Sequence, residues 1–108
     1  MIDLNYLCKM AYENTCKRAE HEPDIKIGTM EALKHCAGEV VEATEAFNDW
    51  SRAYSTKDIE LTQTIFADEL ADIICCVLTI CGKHNIDIEF ALTKCMEKNA
   101  IRAERGRK

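Results

Sequence analysis

The chain predicts an all-α fold, and three observations lead there. Apolar residues recur at three- and four-residue spacing along most of its 108 residues. Nothing alternates with period two over a useful length, and one Pro and four Gly are the only strong breakers. The length suits a single domain spanning 1–108, large enough for one core.

The first helix is expected over about 2–19, where Leu4, Leu7, Cys8 and Ala11 share a face. Glu22-Pro23-Asp24 ends it, and 25–28 form a short connection. Thr29 is placed as the cap of a second helix that carries Leu33, Cys36, Val40, Ala43 and Phe47 on one stripe and fades near Tyr54. Ser55 followed by Asp58 resembles a capping box, so a third helix should start near Thr56. It should reach about Lys83 and stop at Asn85, a residue tolerant of the left-handed conformation. Asp87 then caps a fourth helix through Ile88, Ala91, Leu92 and Cys95.

From 73 to 81 only Thr79 is polar, so that stretch should be buried on every side. Four short helices can hardly cover it. A bundle completed by a homodimer or homotetramer is therefore expected.

Composition narrows the partners. A net charge of −5 disfavours a nucleic-acid polymer, and the apolar run is too short to span a membrane. The seven cysteines are odd in number, form no C-x-x-C and follow no leader-like segment, so free thiols in a reducing cytoplasm are expected. Cys8, Cys36, Cys75, Cys81 and Cys95 sit among apolar residues, where a thiol packs as a small hydrophobe. Cys81 and His84 have the spacing of a shared metal, but no second pair completes a tetrahedral set.

The acids carry more. "GEVVEATEAF" (38–47) places Glu39 and Glu42 on one helical face, and "DELAD" (68–72) does the same for Glu69 and Asp72. The two pairs mirror each other about the step from Ser55 to Thr56. In an antiparallel hairpin turning there, Glu42 comes level with Glu69 and Glu39 with Asp72, roughly 20 Å from the turn. At about 100° per residue, Glu69 falls inside the apolar arc of Ile65, Ile73, Val77 and Ile80. Four carboxylates in a partly dry groove repel one another unless cations neutralise them. Mg²⁺, with Mn²⁺ as a substitute, is the natural occupant, because it takes oxygen ligands and bridges to phosphates. Glu45 and Asp68 read as surface or supporting residues.

The order E-x-x-E (Glu39, Glu42) then E-x-x-D (Glu69, Asp72), followed by "MEKNAIR" with Asn99 and Arg102, resembles the MazG-like all-α nucleoside triphosphate pyrophosphohydrolases. The resemblance covers about residues 33–102. It implies an assembled helical bundle, Mg²⁺ dependence, and cleavage between the α- and β-phosphates to a monophosphate and pyrophosphate, in the manner of nucleotide-pool house-cleaning. Many relatives have Lys four residues before the Asn; here that position is Cys95, flanked by Lys94 and Lys98. Some relatives acting on pyrimidine nucleotides have an aromatic residue four after the Asp, and here it is Cys76.

Asn99 and Arg102 also continue the stripe of Ile88, Leu92 and Cys95, and polar groups on such a face need partners that a triphosphate supplies. Lys98 lies nearer than Lys94 to the Cys95 direction and is the better candidate for a phosphate cation. His35, one turn before Glu39, is either a nucleotide contact or a surface histidine. Trp50 reads as an aromatic closing the bundle near the turn in preference to a base-stacking residue.

The expected mechanism has Glu39, Glu42, Glu69 and Asp72 holding metal that acidifies a water for attack on the α-phosphorus. Asn99, Arg102 and Lys98 position the phosphates. A ferritin-type di-iron site is excluded, since no histidine has Glu three residues before it. A non-catalytic helical interaction module and a phosphoribosyl-ATP pyrophosphohydrolase remain as alternatives.

Overall fold

Local capping chemistry sets most of the element boundaries. The computed structural model describes residues 2–22, 24 and 28–106 and contains four helices: α1 (Leu4–His21), α2 (Thr29–Ser51), α3 (Thr56–Lys83) and α4 (Ile88–Glu104). No strand occurs among the described residues. Asp3 Oδ1 accepts from the Tyr6 amide at 3.0 Å, so α1 starts two residues later than the apolar pattern alone suggests. Ser55 Oγ accepts from the Asp58 amide at 3.1 Å and opens α3 as expected. Asn85 takes a positive φ of 52°, and the Ile86 amide returns to the Cys81 carbonyl at 3.0 Å, closing α3. Asp87 Oδ1 accepts from the Phe90 amide at 3.0 Å and starts α4.

Two boundaries differ from expectation. Gly28 caps α2 without a side-chain bond, and Thr29 is the first helical residue. The Thr29 hydroxyl is instead 2.6 Å from His84 Nε2, a tertiary contact that joins the start of α2 to the end of α3. α2 ends at Ser51 rather than near Tyr54, because the Arg52 and Ala53 amides fold back onto Asp49 and Trp50. Of the expected connection over 25–28, only Gly28 lies within the described residues.

α3 is the central element, with α2 packed on one flank and α1 on another. Ala43 and Ala46 are the buried residues of α2, which lets it approach α3 closely. Near the turn Phe47, Trp50 and Phe66 form a ring cluster with centroids 5.6 to 6.0 Å apart, the bundle-closing role read for Trp50. At the other end Cys8, Leu78 and Cys81 are buried together, with Leu7, Ala11 and Ile88 against them.

The core is small for the apolar content. Residues 73–81 are not buried all round within one chain: Leu78 and Cys81 are buried, but Ile74 is 57% and Val77 40% exposed. All seven cysteines are free, as expected, yet Cys75 and Cys95 are exposed instead of packed. Past Ile88 every described residue of α4 is exposed. The helix projects from the body, and the Cα radius of gyration is 16.9 Å, against about 13 Å for a compact chain of this length. Among the described residues, no helix is long and apolar enough to cross a membrane.

Candidate metal centre

The α2–α3 hairpin brings the predicted acids together. Glu39, Glu69 and Asp72 each offer a carboxylate oxygen, and these oxygens all lie within 4.8 Å of one another. Glu42 is exposed but stands within hydrogen-bonding reach of both Glu39 and Glu69. Glu39 is only 12% exposed at its side chain. One oxygen of Glu39 and one of Glu69 are buried without a hydrogen-bond partner. A buried carboxylate oxygen without a donor is costly, and an oxygen-seeking cation is the chemistry that satisfies it.

The donor set fits a hard divalent ion. Oxygens sharing one octahedral Mg²⁺ lie roughly 3 to 4 Å apart, so small side-chain rotations suffice. The group offered is three carboxylate oxygens, the donor type that hard cations take. His35 Nε2 is 3.1 Å from Glu39 Oε1 and orients that carboxylate from one turn away.

Crowding raises the affinity of these acids for protons. Burial first, then the Glu42 carboxyl, pushes Glu39 above the usual carboxylate range, with His35 opposing. Burial, and after it the charges of Glu42, Asp72 and Glu39, push Glu69 in the same direction. Since the folded chain then holds these protons more tightly than the unfolded one, stability falls as pH rises from the ordinary carboxylate range through the raised values. Ion-free protein should therefore show a falling Tm across that window, and saturating Mg²⁺ should flatten the fall. Thermal melts with EDTA and with Mg²⁺ check this. An unchanged slope in Glu69→Gln would remove Glu69 as its source.

A cleft of about 630 Å³ opens beside the acids, within the size range of small-ligand sites. Glu39, Asp72 and His35 lie at the acidic part; Tyr12, Thr15 and Arg18 of α1 line it as well. The α1 residues were missed by sequence reasoning. Their only signal is a polar run at spacing three, which is also the mark of a solvated face. Arg18 is engaged at 2.9 Å by Glu22, next to this wall. Cys76 also lines the cleft, and burial pushes its thiol up to about 11, so it stays neutral.

The α4 candidates are elsewhere. Lys98, Asn99 and Arg102 are exposed, none of them lines the cleft, and Asn99 Nδ2 is 3.7 Å from Cys95 Sγ. Within one chain, the acids are assembled and the predicted phosphate contacts are not.

No family model, no curated protein and no solved structure matches this chain. The description that stands is an all-α, four-helix protein with a carboxylate group that could hold a metal ion.

Proposed function

We propose that the chain is a Mg²⁺-dependent nucleoside triphosphate pyrophosphohydrolase of the MazG-like kind, releasing pyrophosphate and a nucleoside monophosphate. The observation that carries this reading is the convergence of Glu39, Glu69 and Asp72 from two helices, with Glu42 against them, beside a nucleotide-sized cleft. Bound Mg²⁺ would neutralise the polyphosphate and acidify a water molecule. One of the same glutamates would accept the proton from that water. His35 holds Glu39 in place, and no Ser, Cys or His nucleophile is called for.

The same reading includes a homodimer or homotetramer. Leu33, Val40 and Phe47 recur every seven residues along α2 and are about half exposed; Leu70, Ile74 and Val77 continue the apolar surface on α3. This surface is also what a non-catalytic interaction module would present, so the test must read chemistry.

A panel of ribo- and deoxyribonucleoside triphosphates, with phosphoribosyl-ATP beside them, is incubated with Mg²⁺ or Mn²⁺ and assayed for pyrophosphate. Release from one or more triphosphates, abolished by EDTA, is expected. Release from phosphoribosyl-ATP alone would move the assignment to that enzyme type. Silence across the panel, together with stabilisation by the ion, would leave the interaction module.

A further inference from the structure

Two cysteines stand across the seam between α2 and α3, beside the acids. The hairpin that sets Glu39 level with Asp72 also sets Cys36 level with Cys75, and Cys76 differs from that height by one residue's rise, about 1.5 Å. Direction separates the two α3 thiols. At about 100° per residue, Cys36 lies roughly 20° from Ala43, a buried residue of the seam. Cys76 lies roughly 20° from Glu69, a member of the acid group, whereas Cys75 is turned roughly 120° from it. Cys76 therefore points into the seam. Cys75 points out of it and is exposed.

The two thiols are close enough to influence each other. After burial, Cys36 contributes most to pushing the Cys76 thiol up, ahead of Glu39, Cys75 and Asp72. The backbone spacing also suits a bond. Helices packed at about 8–10 Å, with Cα atoms on cylinders of about 2.3 Å radius, bring facing Cα atoms to roughly 3.5–5.5 Å. A disulfide spans Cα atoms about 4.4–6.8 Å apart, so the ranges overlap.

Access distinguishes this pair from the chain's other thiol pair. Cys8 and Cys81 are hydrogen-bonded between α1 and α3, but they are 2% and 6% exposed inside an apolar cluster. Cys36 and Cys76 are only partly buried, and Cys76 lines the cleft beside the acids. A small oxidant that enters the cleft meets the second pair.

We propose that Cys36 and Cys76 are a reversible dithiol–disulfide pair, driven by hydrogen peroxide, that clamps α2 to α3 one turn from the acids. The Cys36 sulfur takes an oxygen from the peroxide: an S–O bond forms, the O–O bond breaks, and water leaves. The Cys76 sulfur then attacks the Cys36 sulfur. The S–S bond forms, the S–O bond breaks, and the hydroxyl departs with the Cys76 proton as a second water. Two thiols lose two electrons in all, and one peroxide gains them. The order follows from the neutrality of Cys76, since the thiolate and not the thiol attacks peroxide. Cys36 precedes Glu39 by three residues and Cys76 follows Asp72 by four, so the bond fixes the helices where they carry the acids. The inference needs neither bound metal nor turnover.

The protein is treated with hydrogen peroxide, digested with trypsin without reductant, and read by mass spectrometry. Cleavage after Lys34, Arg52, Lys57 and Lys83 leaves Cys36 in one peptide and Cys75, Cys76 and Cys81 in another, so fragmentation assigns the bond. The expected result is a Cys36–Cys76 linkage that dithiothreitol removes. Closing a loop of roughly 40 residues should also raise Tm by about 5 °C or more, reversibly. Cys76→Ser should leave Cys36 as a sulfenic acid that dimedone captures, and Cys75→Ser should leave the linkage intact. A bond from Cys36 to Cys75 or Cys81 would overturn the inference. So would a Cys8–Cys81 bond that forms first, or thiols at Cys36 and Cys76 that persist after other cysteines are oxidised. A linked protein with an unchanged or lowered Tm would overturn the clamp.

Discussion

Glu69→Gln is expected to lower pyrophosphate release by about a thousandfold, the scale on which a lost metal site acts. The same change should raise the Tm of the ion-free protein. Both effects have one cause. Glu69 shares a space with Glu39 and Asp72 in which the offered oxygens lie within 4.8 Å, and one of its own oxygens is buried without a donor. Replacing the acid by its amide removes a ligand and also removes repulsion, so function and ion-free stability move in opposite directions. Glu39→Gln and Asp72→Asn should follow, and Glu42→Gln should too because it stands against both glutamates. Kinetics and melts on the four variants decide the matter. Near-normal turnover in any two of them would end the metal-site assignment, whereas loss of turnover with a lowered Tm would point to damage to the fold.

Gly82→Ala should cost stability on a scale that threatens folding. A Cβ at this position would overlap the Cys8 carbonyl oxygen and lie 2.7 Å from the Cys8 carbonyl carbon and 2.9 Å from Tyr12 Cβ. The atoms in the way are mostly backbone, so α1 and α3 have to separate. That separation opens the buried cluster of Cys8, Leu78 and Cys81. Overpacking of this kind costs about 3 kcal/mol, in a domain whose whole stability is about 5–15 kcal/mol. A urea midpoint lowered by roughly a fifth to three fifths is the expected reading. Gly38→Ala supplies the opposite sign: a Cβ there meets nothing within 4 Å, and a mid-helix glycine is replaced. It should stabilise by about 0.5–1 kcal/mol. Equal effects from the two substitutions would show that the α1–α3 contact is looser than described.

Several of these features are local and therefore legible in the chain. Ser55, Asp87 and Asn85 act on amides or backbone angles within three residues of themselves, which is why the ends of α3 and the start of α4 fall where the pattern puts them. The acid site is non-local but still legible, because a hairpin converts equal sequence distance from a turn into equal height. Glu39, Glu69 and Asp72 needed only that symmetry and a helical angle to be brought together. Thr29 shows the limit of such reasoning: its hydroxyl is the right group for a cap, yet it is taken by His84 from another helix. Tyr12, Thr15 and Arg18 show it again, since a cleft wall and a solvated face have the same polar pattern until a neighbouring helix defines which one it is.

By itself, then, the sequence determined four helices, free cysteines and a carboxylate set spaced to converge, because each follows from period, caps or mirror register. Only the tertiary structure decided where α1 walls the cleft and where α4 points. The direction of α4 depends on Asn5, more than eighty residues away in the chain, whose side chain holds the first turn of α4 against α1. No helical period carries that information: a stripe records which residues share a face, and a distant hydrogen-bonded anchor sets where the helix starts.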